Sequence, residues 1–379
     1  MNRAFGKKGG LLRNSGVQTV LGSLLCILLG LLVGFIVLLI INPGGAGEAV
    51  AAILKNFLYY PSAVAATKYF GTTLVKASAL LMCSLSVLFA WKVGLFNIGA
   101  AGQYVIGSGA CLYLALGLKM PWYICLIAAV VAAGLVGAVS GFLKAYFNVN
   151  EVISCIMLNW IGLYCVNMLL AQVKEQSTPY TRTIKSVNGG GLLPTLGLDK
   201  LFSNNEFVTV GLVLAVVIAI LVWILLEKTK LGYELKATGF NKNAAKYCGM
   251  REKRNIILTM AIAGGLAGFG AGIFYLTGIE QWMVQQTSVP AMGFNGIAAA
   301  FLGGTHPLGA IFSSYFIQHI TSGGTYVDTT MYSSQISDLI SAFIIYLCGF
   351  VLFFKVWLNK RLDKRDEKLA AKGQKGGEA

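Results

Sequence analysis

Apolar runs long enough to cross a bilayer dominate this chain and leave little else for it to become. They lie at about 17–41, 72–91, 121–146, 151–172, 206–227, 255–278 and 335–354, with shorter glycine-broken pieces at about 95–117, 291–303 and 306–321. About 20 consecutive apolar residues span the hydrocarbon core as a helix. Composition removes the soluble alternative: 56% of the residues are hydrophobic and 12% are charged, against about 25% charged in an average soluble domain. The expected fold is an all-α polytopic membrane protein with about ten transmembrane segments (8–10), interrupted or re-entrant helices among them. Ten crossings put both termini on one side. A re-entrant hairpin over 291–321 lowers the count and keeps that sidedness.

The formal net charge of +15 fixes the orientation. Positive residues cluster at the N-terminus (Arg3, Lys7, Lys8, Arg13), between the fifth and sixth long runs (Lys228, Lys230, Lys236, Lys242, Lys246, Arg251, Lys253, Arg254) and after the last run, from Lys355 to Lys375. Lys/Arg excess marks cytoplasmic segments, so all three regions are expected inside, N-in and C-in. Topology therefore accounts for the charge, and no nucleic-acid partner is needed. The chain divides into a cytoplasmic basic N-terminus (1–16), a transmembrane domain (17–354) and a cytoplasmic basic tail (355–379). External loops are expected at 42–71 and 173–205, and a cytoplasmic loop at 228–254. The run at 17–41 is long for a signal peptide and reads as an uncleaved first helix.

Catalytic and metal chemistry find no foothold in the sequence. The eight cysteines are scattered without a C-x-x-C pair and read as small buried hydrophobes. Two histidines, His306 and His319, cannot make a three-histidine metal site. No G-x-x-x-x-G-K-[ST] loop occurs, so any ATP belongs to another polypeptide.

The polar stretch 231–250 stands apart from its apolar surroundings. Asn241 can cap a helix by accepting an orphan backbone N–H, Ala244, Ala245 and Lys246 favour helix, and Gly249 sits where a left-handed residue would end it. A helix of about two turns is unstable alone and needs something to dock against. Elsewhere, Gly264, Gly268 and Gly272 fall four apart, the spacing that lets helix backbones approach closely in lipid. Asn97, Gln103, Asn159 and Asn295 place amides at membrane depth, where each wants a partner or a passing polar ligand. Glu151 opens a spanning run as a first-turn carboxylate. The pieces Gly94-Leu95-Phe96-Asn97-Ile98-Gly99 and Gly293-Phe294-Asn295-Gly296-Ile297-Ala298 echo one another in opposite orientations, the pointer to a candidate inverted repeat.

These residues resemble a permease subunit of the ABC importers of the branched-chain amino acid and simple sugar class, nearest to nucleoside permeases working with basic-membrane-protein-type lipoproteins. The resemblance rests on Gly94 to Gly99 with Gly102 and Gln103, on Asn150-Glu151-Val152-Ile153 with Ile156 to Asn159, and on Ala237 to Asn241 with Ala244 to Gly249. Asn243 stands where the family usually has proline. The resemblance implies that Gly239, Asn241, Lys242, Asn243, Ala244, Ala245, Tyr247 and Gly249 form a coupling helix gripped by a cytoplasmic ATPase. It implies a second homologous permease subunit and an external substrate-binding lipoprotein in a bacterial cytoplasmic membrane. No cofactor is expected on this chain, ATP and Mg being bound by the ATPase subunits. A substrate pathway is expected near Asn97, Gln103, Glu151, Asn159 and Asn295, with nucleosides as cargo, then simple sugars, then branched-chain amino acids. A stand-alone secondary transporter is the rival, though it would want ion-coupling acids within the spans. On this reading Ala245→Asp should spare folding and abolish uptake.

Overall fold

In the computed structural model, which describes residues 15–328 throughout and 330–363 in part, the chain is all-helical. Residues 1–14 and 364–379, carrying the N-terminal basic cluster and most of the basic tail, lie outside the described residues, as do several positions of the run at 335–354. Among the described residues no strand forms; the only extended pairings are isolated bridges, Lys174 with Thr181 and Tyr180 with Met283. The helices are α1 (Ser15–Ile41), α2 (Ala46–Lys55), α3 (Ala63–Lys92), α4 (Ala100–Leu116), α5 (Trp122–Phe147), α6 (Glu151–Leu170), α7 (Ile184–Val187) and α8 (Leu198–Leu201). They continue with α9 (Gly211–Lys228), α10 (Lys230–Phe240), α11 (Lys242–Tyr247), α12 (Glu252–Tyr275), α13 (Ala291–Leu302) and α14 (Pro307–Gly323).

Among the described residues six helices, α1, α3, α5, α6, α9 and α12, are long and apolar enough to cross a membrane, and α4 and α13 are shorter apolar helices. The expected count of ten therefore leans on the short helices and on the run at 335–354. Two boundaries differ from the sequence reading. The segment expected as an external loop at 42–71 holds α2 and the first turns of α3. Polar residues enter α3 without breaking it because Thr67 and Thr72 donate their hydroxyls to the carbonyls of Ala63 and Lys68, at 2.8 and 3.3 Å. The segment 228–254, expected as a cytoplasmic loop, holds two helices, α10 and α11, where one was expected.

The centre of the molecule is α3. Every residue from 77 to 90 is buried, the pattern of a helix that meets protein on all sides. It packs against α12, α13, α14 and α9, while α12 also lies along α5 and α4. Small residues make the α5–α12 contact close. A methyl at Gly264 or Gly268 would overlap the carbonyl oxygen of Ala133 or Ala129, and one at Gly272 would come within 2.5 Å of the Leu126 side chain. Leu28, Ile40, Ile127, Leu135, Ile161 and Met168 are exposed on α1, α5 and α6, as lipid-facing residues of a membrane bundle are.

Candidate functional site

Between α9 and α12 the chain builds a braced projection. Thr229 caps α10: its hydroxyl accepts the Gly232 N–H at 3.1 Å and donates to the Leu225 carbonyl at 2.6 Å. Gly232 allows the return, because a methyl there would overlap that same carbonyl oxygen. α10 buries Leu235 and Thr238, and Asn255 of α12 donates to the Thr238 hydroxyl at 2.9 Å. Gly239 then abuts the turn after α3. A methyl on Gly239 would overlap the Val93 carbonyl oxygen, and one on Gly94 (φ +76) would come within 2.8 Å of the Gly239 oxygen. The projection is thus fixed to the end of α3 and the start of α12.

The helix at its tip, α11, forms for local reasons. Asn241 is extended (φ −155, ψ 101) and its side-chain oxygen accepts the N–H groups of Asn243 and Ala244 at 3.1 and 3.0 Å. Gly249 adopts φ +80, and the Met250 N–H reaches back to the Ala245 carbonyl at 3.0 Å, the Schellman closure of a helix end. Lys242, Asn243, Ala244, Lys246 and Tyr247 face outward. Ala245 faces inward and is 4% exposed, which corrects the sequence expectation for Ala245→Asp: a buried charge would unseat α11 itself. Sequence reasoning also missed α10 and its last residue. Phe240 is 96% exposed and Tyr247 93%, two aromatic side chains presented on a polar surface. Exposed aromatics within a polar stretch were the signal available.

The amides expected near a pathway divide. Asn97 donates to Ser86 at 3.0 Å and to Gln103 at 2.8 Å, and Gln103 donates back at 3.2 Å. Asn159 accepts the Gly102 N–H at 2.9 Å and donates to the Ile98 carbonyl at 3.2 Å. All three are buried, and their bonds tie the interrupted segment before α4 to α3 and α6. These bonds give all three amides a packing role between helices. Glu151 pairs with Lys144 at 2.8 Å and closes the α5–α6 turn. Asn295 is half-buried on α13 beside Phe294, which is 39% exposed.

A polar segment carrying Gln281, Gln285 and Gln286 joins α12 to α13. Thr181 and Val284 donate backbone N–H groups to the Trp282 and Pro179 carbonyls, both at 2.9 Å. Asn167 of α6 accepts the Trp282 indole N–H at 2.9 Å and donates to the Gln286 carbonyl at 2.8 Å. Glu280 is exposed at the end of this turn; desolvation by its neighbours pushes its carboxyl above the usual range, while the Lys76 ammonium of α3 draws it the other way. At the opposite end of α13, His306 caps α14 by accepting the Leu308 N–H on Nδ1 at 3.3 Å. Burial, with Lys92 nearby, holds the His306 ring below the ordinary histidine value.

Residues 69–349 match the family described as branched-chain amino acid transport system / permease component. The chain is 31% identical to a nucleoside ABC transporter permease protein of Lactococcus lactis, over 96% of this chain and 100% of that protein. It is 30% identical to a guanosine ABC transporter permease protein of Bacillus subtilis, over 86% of this chain and 92% of that one. A glucose ABC transporter permease protein of Haloferax volcanii is 28% identical over 76% of this chain and 78% of its own length. No solved structure matches the chain.

Proposed function

The chain belongs to the permease-component family of branched-chain amino acid transport systems, and from that premise we propose that it is the membrane subunit of an ATP-driven importer of nucleosides. As a permease subunit it is not itself an enzyme; ATP hydrolysis belongs to a separate ATPase subunit. The proposed topology has both termini in the cytosol of a bacterium and ten crossings of the cytoplasmic membrane: α1, α3 to α6, α9, α12 to α14 and the run at 335–354. A second homologous permease subunit completes the core, and an external binding lipoprotein delivers the cargo.

One observation carries the mechanism. The α10–α11 projection is fixed to the end of α3 through Gly239 and Val93 and to the start of α12 through Thr238 and Asn255. Those are the two helices against which α4, α5, α9, α13 and α14 pack. An ATPase that grips Phe240 and Tyr247 and rotates would therefore move α3 and α12 as rigid bodies, and packed helices switch between discrete arrangements. Substrate would then pass along a path bordered by the outer polar segment with Glu280 and Lys76 and by Asn295 on α13. Neutral, hydroxyl-rich cargo suits amide and carboxyl hydrogen bonding at such a path.

Nucleosides are favoured because relatives named for nucleoside and guanosine transport align over nearly the whole chain. The glucose permease relative keeps simple sugars as the second reading. Uptake of radiolabelled guanosine, uridine and glucose, in cells carrying the chain with its ATPase, tests both. Nucleoside uptake that stops on ATP depletion and survives collapse of the ion gradient is expected. Glucose uptake without nucleoside uptake would replace the cargo; uptake driven by the gradient would remove the importer reading.

A further inference from the structure

Beside α11 lies a cavity of about 610 Å³, which shares Phe240, Asn241, Lys242 and Asn243 with the projection proposed to meet the ATPase. Its walls come from the turn after α3, the end of α5, the end of α10, α11 and the start of α12. Four lysines, Lys144, Lys242, Lys246 and Lys253, line it against one carboxylate, Glu252. Lys144 is paired with Glu151 at 2.8 Å, outside the lining. The Lys253 ammonium lies over the Tyr146 ring, 4.4 Å from its centroid, a contact that holds the side chain in place. The side chains of Asn148, Asn241 and Asn243 add amide donors to the same walls. The Asn241 oxygen is already engaged in capping α11, which leaves its NH₂ group to be offered.

A hollow of this size suits a small ligand rather than a protein loop, and its surplus of ammonium and amide donors calls for an anion with several acceptor oxygens. The neighbouring surface narrows the source. Phe142, Tyr146 and Phe147 are all exposed on the last turns of α5. Their rings are in contact, with centroids 4.9 Å apart for Phe142 and Tyr146 and 5.9 Å for Phe142 and Phe147. Exposed aromatic clusters at the end of a spanning helix sit at headgroup level, and basic pockets on the cytoplasmic side of a bundle accept anionic headgroups. Tyr146 belongs to both the cavity and this cluster.

We propose that the cavity binds a phosphate-bearing anion, with an anionic phospholipid as its resident, headgroup among the lysines and acyl chains over Phe142 and Phe147. Because α11 is one wall, the bound lipid would steady the projection that the ATPase moves, and transport would depend on anionic lipid. The proposal rests on the cytosolic placement of α11, which labelling of Cys248 reads separately, so failure of one is distinguishable from failure of the other.

The test uses the full chain with its ATPase in phosphatidylcholine nanodiscs, with and without phosphatidylglycerol. Native mass spectrometry reads lipid retained on extraction, and amine labelling reads protection of Lys253. Wild type should retain phosphatidylglycerol in preference to phosphatidylcholine, and Lys253→Gln should weaken retention about fivefold, the usual worth of one lysine near an anionic surface. Lys230→Gln, on α10 outside the cavity, should change nothing. Protection of Lys253 by inorganic phosphate alone, with no lipid preference, keeps the phosphate site and makes its source soluble. Equal retention of both lipids with no phosphate protection overturns the proposal. So does protection that appears only when the ATPase is bound, since the cavity would then be part of that subunit's seat.

Discussion

Gly239 and Asn159 carry more of this architecture than their size implies. A methyl on Gly239 would drive into the Val93 carbonyl, so Gly239→Ala must displace either α10 or the turn after α3. Overpacking of this kind costs about 1–3 kcal/mol. The expected result is a lowered melting temperature in detergent and lost uptake, while Gly189→Ala, where no atom lies within 4 Å, changes neither. Asn159→Ala strands the Gly102 N–H and the Ile98 carbonyl, and unpaired buried groups cost about 1–3 kcal/mol each. A melting temperature matching wild type would show that water or another helix takes over. At His306 the neutral ring is the one that can accept the Leu308 N–H. Its pKa is lowered by burial and then by Lys92, so between the folded value and the unfolded value near 6.5 the unfolded chain binds the extra proton. Stability is therefore fully present above about pH 6.5 and falls as pH drops below it. His306→Asn keeps an acceptor at the cap and should flatten that acid limb in a melting-temperature profile; an unchanged limb contradicts the assignment.

At the scale of elements, α11 and α10 teach different lessons. The cap at Asn241 and the left-handed Gly249 could be read from the sequence because both act within a few residues of themselves. α10 could not be, since what holds it lies elsewhere: Leu225 behind Gly232, Val93 beneath Gly239 and Asn255 beside Thr238. The same holds for the amides. Their depth was legible, but Ser86, Ile98 and Gly102, which occupy Asn97 and Asn159, are named only by the folded chain. Lys76, just inside the run expected at 72–91, is half-buried within α3. The projection makes its own prediction. Phe240→Ala and Tyr247→Ala should leave the stability of the isolated chain within about 0.5 kcal/mol of wild type, as exposed positions do, yet lower co-purification of the ATPase and ATP-dependent uptake at least tenfold if these rings are interface anchors. Ala245→Asp should instead destabilise the chain itself. Full retention of the ATPase by the Phe240→Ala, Tyr247→Ala double variant would remove the anchoring role.

For the whole molecule, hydropathy disclosed the class, because bilayer thickness acts on the sequence directly, and Lys/Arg placement supports the orientation proposed above. The centrality of α3 was hidden, since an apolar helix looks the same facing lipid or protein. The account as a whole stands on the cytosolic exposure of the α10–α11 projection. Cys248 is exposed just after α11 and reports on it directly. In a chain with Cys165 and Cys348 replaced by serine, a membrane-impermeant maleimide should label Cys248 in inside-out vesicles, less when the ATPase is bound, and leave right-side-out vesicles unlabelled. Labelling of Cys248 from the outer face would contradict the account.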